Sequence, residues 1–434
     1  MQTSDGSSRR EFLKRSAAAA SVGALVSGSG LARCVHAAGS ERFNVALIGS
    51  GNRGTGAAAD CLNVSKNVRL VAVAELDEAR AKLAVKLLKE NVGDQVAVPE
   101  DQMFYGLDAY KRALACDIDL AILTTPPGFR PIHYRAAVEA GKNVFLEKPC
   151  CVGAGGYRSL QKTNEMADQK GIKVGVGFFR RHFPQYLEAV ERIHNGEIGE
   201  ISLMRCNANM PRMAVRAETP EMTEMEYQVR NWVYFDWIGG GRLVEMHCHG
   251  LDAMNWIKDA HPVQVNGMGG RQVYRERKYG NDYDHHFNEF TYADGTKMYS
   301  QCRQMSGCWT SVTEHVHGTK ETVDLTGFIG GINRLRDRER VNPYQKEHID
   351  LLDAIWTNKP YNEGWSGADS SFTCVIGRMA SYSGDIIRWD EAVKNGPSLF
   401  PNEIIWDADP PIMPDENGLY EHTVPMPGLY NPYS

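Results

Sequence analysis

Gly49-Ser50-Gly51-Asn52-Arg53-Gly54 is a G-x-G-x-x-G run, preceded by the apolar stretch 42–48 and followed by the Ala-rich stretch 55–62. A strand, a glycine turn and a helix in that order aim the helix N-terminal N–H groups at a phosphate. Gly49 is expected to make the turn, Gly51 to let the backbone approach a pyrophosphate, and Gly54 to permit close helix–strand packing, with Asn52 and Arg53 in the same loop. A second strand over 68–74 ends at Glu75, 21 positions after Gly54. A carboxylate there accepts from both ribose hydroxyls of a dinucleotide and repels a 2′-phosphate, which favours NAD and leaves NADP as the second choice; Asp77 is the runner-up for this role. Glu245 and His249 form another chemical pair, spaced i, i+4 after the run Gly239-Gly240-Gly241. On one helix they share a face, and a carboxylate beside an imidazole orients a general base that works near neutral pH.

These groups need elements to hold them. Strand–helix alternation continues with a strand over 119–125, a helix over 133–140 and a strand over 143–146 that runs into Glu147-Lys148-Pro149. Carboxyl ends of parallel strands face the ligand crevice, which directs Thr125, Pro126, Glu147 and Lys148 toward the cofactor. A helix over 159–173 leads out of this half to a strand over 174–179. Alternating segments over 202–207, 264–270, 286–292 and 296–302 then predict an open, largely antiparallel sheet. The expected fold is thus an N-terminal α/β domain, a doubly wound parallel Rossmann sheet (41–165), followed by a C-terminal α+β domain (166–398) and an extended, Pro-rich arm (399–434). The stretch 342–392 reads as two packing helices, the second opened by 368–371. Arg181 and His182, beside the crevice, are candidates for binding substrate hydroxyls.

The runs HYRAAVEAGKNVFLEKP (133–149) and NVALIGSGNRG (44–54) resemble the Gfo/Idh/MocA oxidoreductases, a family that includes glucose–fructose oxidoreductase and inositol dehydrogenase. The resemblance implies that Lys148, in the family's Glu-Lys-Pro, lies near the nicotinamide and the reacting carbon. It implies that His249 is the catalytic histidine and Asp252 a trailing acid. It also makes Asp284 and His286 plausible substrate contacts. Two departures stand out: Glu245 where the family pattern has Asp, and His247 where it has Gly. The activity implied is NAD-dependent oxidation of a sugar, cyclitol or related polyol. His249 would take the hydroxyl proton, Lys148 would steady the oxyanion and Glu245 would hold the imidazole. Redox-neutral glycosidase, lyase or epimerase chemistry at the same residues is the main alternative, and a silent sugar- or NAD-binding protein a lesser one. A metal held by His247, His249, Asp284, His285 and His286 is a further rival, disfavoured because H-x-H suits a strand better than a helix.

Ser8-Arg9-Arg10-Glu11-Phe12-Leu13-Lys14, the weakly apolar run 17–31 and Val35-His36-Ala37 resemble a twin-arginine export signal cleaved after residue 37. The expected destination is the periplasm, reached folded. Loss of five basic and two acidic residues would take the net charge from −6 to about −9. With 42% hydrophobic and 24% charged residues over 434 positions, the chain is globular in composition. The acidic balance argues against a nucleic-acid surface, and no run is apolar enough for a membrane span. Ten cysteines without a C-x-x-C, including the vicinal Cys150–Cys151, read as buried thiols. The partners expected are a carbohydrate and further copies of the chain, as a dimer or tetramer.

Overall fold

The structure, a computed structural model, describes residues 42–325, 328–329, 341–401 and 403–434; the expected leader over 1–37 lies outside these residues. Strand β1 (Phe43–Ile48) shows why the N-terminal strands carry apolar residues on both faces. Val45 and Leu47 enter one buried cluster, Ala46 and Ile48 another. The same split recurs in β2 (Val68–Glu75), β4 (Leu120–Leu123) and β5 (Asn143–Leu146), so each strand feeds cores on both faces. With β3 (Met103–Tyr105) and β6 (Val174–Val176) they form a six-stranded, all-parallel sheet ordered β3-β2-β1-β4-β5-β6. β6 lies beyond residue 165 and pairs with β5. Helices α1 (Asn52–Leu62) and α2 (Glu78–Val92) cover one face. Helices α3 (Ala109–Leu114), α4 (Arg130–Glu139) and α5 (Ala154–Lys170) cover the other.

After α6 (Pro184–His194), strand β7 (Ile201–Met210) begins the second sheet. The chain then runs through α7 (Glu224–Arg230), α8 (Asp236–Gly239), α9 (Gly241–Glu245) and α10 (Cys248–Lys258). Strands β8 (Gln264–Gly270), β9 (His285–Thr291), β10 (Lys297–Gln304), β11 (Ser311–Gly318), β12 (Thr322–Asp324) and β13 (Phe328–Ile329) follow. Helices α11 (Pro343–Trp356) and α12 (Gly364–Ser383), strand β14 (Ile387–Arg388) and α13 (Trp389–Asn395) complete the elements. The sheet order is β13-β12-β11-β7-β10-β9-β8-β14, antiparallel except for β7–β10. α12 is buried along most of its circumference and starts at Gly364, ahead of the expected 368–371. Its Gly377 leaves the room that Phe290 of β9 fills: a Cβ there would lie 2.8 Å from the ring. Late elements complete early ones, since Leu351 and Leu352 of α11 belong to the core under β1 and β4. The C-terminal arm lies on its own chain, with Leu399, Phe400, Ile404, Trp406 and Ile412 packed against a cluster around Trp237.

Candidate functional site

The glycine-rich loop joins β1 to α1 under tight steric control. Gly49 has φ +91°, and a Cβ on it would stand 2.7 Å from the Thr125 nitrogen. A Cβ on Gly54 would stand 2.0 Å from the Gly49 oxygen. Gly51 differs: a Cβ there meets nothing within 4 Å, so the space before the first turn of α1 is open. That combination fits a dinucleotide pyrophosphate, with closed packing behind the loop and clearance in front. Glu75 grips the same loop. Its Oε2 accepts from the Ser50 nitrogen at 2.7 Å and from Ser50 Oγ at 3.0 Å, while Oε1 accepts from the Leu76 nitrogen at 2.7 Å. Asp77 caps α2 and pairs with Arg230. Arg53 donates from Nε to Glu147 Oε1 at 2.5 Å and from a terminal nitrogen to Glu347 Oε1 at 3.2 Å. Thr125 Oγ1 meets His133 Nδ1 at 3.0 Å, and Pro126 begins the turn into α4. Burial pushes the His133 imidazole down to about 3, with the Arg130 charge adding to the effect.

Lys148 follows β5 directly and reaches across to the second half of the chain. Its Nζ donates to the backbone oxygen of Glu245 at 2.7 Å and lies 3.4 Å from Glu245 Oε1. Burial works against the ammonium, but the Glu245 and Glu147 carboxylates outweigh it, and the Lys148 pKa is raised. Lys148 is therefore a fixed cation and a hydrogen-bond donor. His249 is the opposite. Burial, then the charges of Lys148, Arg180 and Arg53, drive its pKa well below the ordinary value and keep the imidazole neutral. A neutral, half-buried imidazole keeps a nitrogen lone pair free to accept a hydroxyl proton, and the neighbouring cation can offset the charge left on the oxygen.

The expected pairing of Glu245 with His249 is not what the structure has. The chain breaks between α9, which ends at Glu245, and α10, which begins at Cys248, so the i, i+4 positions do not share one helical face. Glu245 turns to Lys148, and neither Glu245 Oε2 nor His249 Nδ1 has a hydrogen-bond partner among the described residues. Aromatic rings flank the imidazole instead: Phe179 with ring centroids 4.9 Å apart and Phe178 at 5.9 Å.

The other candidates are committed elsewhere. Arg181 holds fully buried Asp252 through Nε, at 3.0 Å from both carboxylate oxygens, and through a terminal nitrogen at 2.7 Å; Ser370 adds a bond to Asp252 at 2.7 Å. His182 sits between Asp350 (2.8 Å) and Glu363 (3.2 Å), which lift its pKa to about 10 against the burial penalty. Asp284 accepts from the backbone nitrogens of Gln272, Val273 and Tyr274 at 2.7, 2.5 and 3.2 Å, and faces His285 at 2.7 Å. His286 is buried beside Tyr283 and Tyr382, and burial carries it down to about 3. His247, also buried, contacts the Cys206 sulfur at 3.4 Å. Among the described residues, no three of His, Cys, Asp or Glu come together to hold a metal. No helix among them is long and apolar enough to cross a membrane.

Residues that sequence reasoning passed over complete the site. Arg180 pairs with buried Glu314 at 3.0 Å beside His249. Tyr344 and Glu347, spaced i, i+3 on α11, both reach Arg53. Their spacing was the available signal, and it reads as ordinary packing until Arg53 is placed beneath them.

Comparison with known proteins agrees with this layout. Residues 43–178 match the family described as an oxidoreductase family with an NAD-binding Rossmann fold, and residues 186–324 match the GFO/IDH/MocA C-terminal domain. An inositol 2-dehydrogenase of Klebsiella pneumoniae is 28% identical over 164 residues, covering 38% of this chain and 45% of that protein. One from Rhizobium meliloti is 26% identical over 238 residues, covering 55% and 62%. The chain thus spans about half the length of the curated relatives it matches. The scyllo-inositol dehydrogenase of Lactobacillus casei, solved with NAD(H) and scyllo-inositol, superposes with a TM-score of 0.62 at 18% identity, over 80% of this chain and 99% of that one. An aldose-aldose oxidoreductase of Caulobacter crescentus gives the same TM-score at 18% identity, over 80% and 100%. At that identity the likeness is one of fold. The two matched regions cover most of the chain in the order the sheets predict, and the protein belongs to the Gfo/Idh/MocA family of NAD-binding oxidoreductases.

Proposed function

We propose that this protein oxidises a secondary hydroxyl of a cyclitol, sugar or related polyol with NAD. The observation that carries the reading is the neutral imidazole of His249 next to the fixed ammonium of Lys148, which follows Glu147, the partner of Arg53 in the glycine-rich loop. In this mechanism His249 accepts the hydroxyl proton. Lys148 donates a hydrogen bond to the same oxygen and offsets the charge that develops on it. Glu245 holds the Lys148 ammonium in place. Bound NAD supplies the acceptor for the hydride that leaves the carbon. The loop with Gly49, Gly51 and Gly54 receives the pyrophosphate, Glu75 the adenosine ribose, and Thr125 and Pro126 line the crevice. The inositol dehydrogenases among the relatives support a cyclitol as first substrate to test.

The test is cofactor absorbance on purified protein with a panel of inositols and sugars. His249→Asn and Lys148→Ala are expected to lose turnover at least 100-fold with NAD binding retained. A His249→Asn variant turning over near the parent rate would move the base elsewhere, with His247 first in line.

The export signal expected at the N-terminus favours a second reading of the net reaction. A protein folded in the cytoplasm and sent to the periplasm keeps its cofactor only if it binds tightly, and a cycle that returns the hydride to a product or a second sugar then needs no exchange. Retention through purification corresponds to a dissociation constant well below micromolar, about −9 kcal/mol or stronger. Denaturing the mature protein and assaying the released nucleotide tests this: an empty site, with added NAD consumed one-for-one, leaves an ordinary dehydrogenase. Self-association is part of the proposal, supported by Met268 and Phe287, cross-strand neighbours exposed on one face of the second sheet.

A further inference from the structure

The imidazole of His249 lacks the carboxylate that would fix its ring. Nδ1 is buried without a hydrogen-bond partner among the described residues, and the two nearest carboxylates in sequence, Asp252 and Glu245, face Arg181 and Lys148. Something else must set the direction in which the ring presents its free nitrogen. The structure offers a stack of planar groups. Phe179 packs edge-on against His249 with centroids 4.9 Å apart and an interplanar angle of 61°. Tyr344 packs on Phe179 at 4.6 Å and 36°, and the Arg53 guanidinium lies over the Tyr344 ring at 4.7 Å. The column runs Arg53, Tyr344, Phe179, His249, from the glycine-rich loop to the imidazole.

The far end of this column is anchored. Tyr344 stands in the first turn of α11, where Asn342 caps the helix by accepting from the Tyr344 nitrogen at 3.1 Å. Asn342 also donates to Asp60 of α1 at 3.2 Å, Gln345 donates to the Asn63 oxygen at 3.2 Å, and Glu347 accepts from Arg53 at 3.2 Å. The start of α11 is thus tied three times to α1 and the residue that follows it, the helix that opens at the cofactor loop. A ring held this firmly, yet 38% exposed, is poorly explained as core packing alone.

We propose that Tyr344 is a positioning residue for His249: through Phe179 it fixes the imidazole that no carboxylate orients, and through Arg53 it couples that imidazole to the glycine-rich loop. The inference rests on the reading of His249 as the base. Removing the Tyr344 ring would loosen Phe179 and let water reach one side of the imidazole. The charged groups facing His249 are Lys148 after β5, Arg180 after β6 and Arg53 in α1, with the Glu245 carboxylate at the end of α9 held by Lys148. The three cations stay in the variant, so the His249 pKa should rise toward its ordinary value without passing it.

The experiment compares Tyr344→Ala, Tyr344→Phe and Phe179→Leu in the full chain. Histidine-labelled protein is titrated by NMR, with the His249 signal identified by its loss in His249→Asn. Rates are measured from pH 5 to 9 with NAD and, as probes, myo-inositol and scyllo-inositol. Tyr344→Ala is expected to raise the His249 pKa, to lower kcat about tenfold or more, and to leave KM for the cyclitol within about twofold. Tyr344→Phe, which keeps the stack, should restore both. Phe179→Leu should resemble Tyr344→Ala and serves if that variant does not fold. An unmoved His249 titration in Tyr344→Ala, or in Phe179→Leu where that variant stands in, overturns the proposal, as does a Tyr344→Phe variant as impaired as Tyr344→Ala. The two readings fail separately. Normal turnover in His249→Asn removes the base assignment, whereas loss of turnover there with Tyr344→Ala unchanged in kcat and titration removes only the positioning role.

Discussion

Replacing Gly51 by Ala separates cofactor binding from folding at a single methyl group. Gly51 has φ −66° and ψ −178°, which alanine adopts freely, and its added Cβ would meet nothing within 4 Å. As the residue before α1, alanine is a poorer N-cap than glycine by about 0.5–1 kcal/mol, while the stiffer unfolded chain gives back about 0.4–1 kcal/mol. Stability should therefore stay within about 1 kcal/mol of the parent. The same methyl stands in the clearance that a pyrophosphate needs at this position, so NAD affinity should fall at least 100-fold, about 2.8 kcal/mol. Gly54→Ala is the contrast. Its Cβ would lie 2.0 Å from the Gly49 oxygen and 2.5 Å from Thr124 Oγ1, both in the packed wall behind the loop. That variant should lose about 1–3 kcal/mol of stability or more, with the affinity loss following from the distorted loop. Calorimetric titration with NAD, alongside the urea midpoint, measures both quantities. A Gly51→Ala protein binding NAD within threefold of the parent would refute the placement of the pyrophosphate.

Glu75→Ser should weaken NAD binding about tenfold and narrow the preference over NADP, since the ribose acceptor and the anchor for Ser50 disappear together; tighter NADP than NAD binding by the parent in calorimetry would end the assignment. His182, raised to about 10 by Asp350 and Glu363, contributes stability that is complete below pH 6.5 and is lost as pH rises through about 10. The unfolding free energy from urea titration should therefore fall between pH 7 and 10, by an amount on the order of a few kcal/mol, and His182→Asn should flatten that part of the curve. Arg181→Leu should cost about 3–5 kcal/mol, because it strands the buried Asp252 carboxylate; a loss below 1 kcal/mol in urea unfolding would contradict the pairing described.

Much of the fold was legible in the sequence because the parallel strands are apolar on both faces. The segments 43–48, 68–75 and 143–146 each sit between helices, and their consecutive apolar residues, 45–48, 70–74 and 144–146, say so. The glycine loop was legible for a similar reason, since two of its three glycines are imposed by contacts under 3 Å. Partners were not legible. Spacing put Glu245 beside His249, but the backbone broke at Met246 and His247, and a lysine nearly a hundred positions earlier took the carboxylate. Arg181, His182 and Asp284 looked available for substrate because a sequence does not show that Asp252, Asp350 and the 272–274 backbone reach them first. Long-range ion pairs carry no periodicity, so nothing local announces them.

Phe400 offers a consequence in time rather than in space. Its ring fills the room above Gly128, where a Cβ would stand 2.2 Å from it, and packs edge-on against Phe129 with centroids 4.9 Å apart. The turn it presses on follows β4 and carries Thr125 and Pro126. On a ribosome adding about 5–20 residues per second, Phe400 emerges roughly 15–55 s after Gly128. For most of that interval the nascent chain has its parallel strands but lacks both the wedge that seats this turn and Leu351 and Leu352 beneath β1 and β4. The dinucleotide half therefore matures last, although it is made first. A fragment ending before α11 should expose apolar surface and bind chaperones or aggregate, rather than behave as a free-standing nucleotide module.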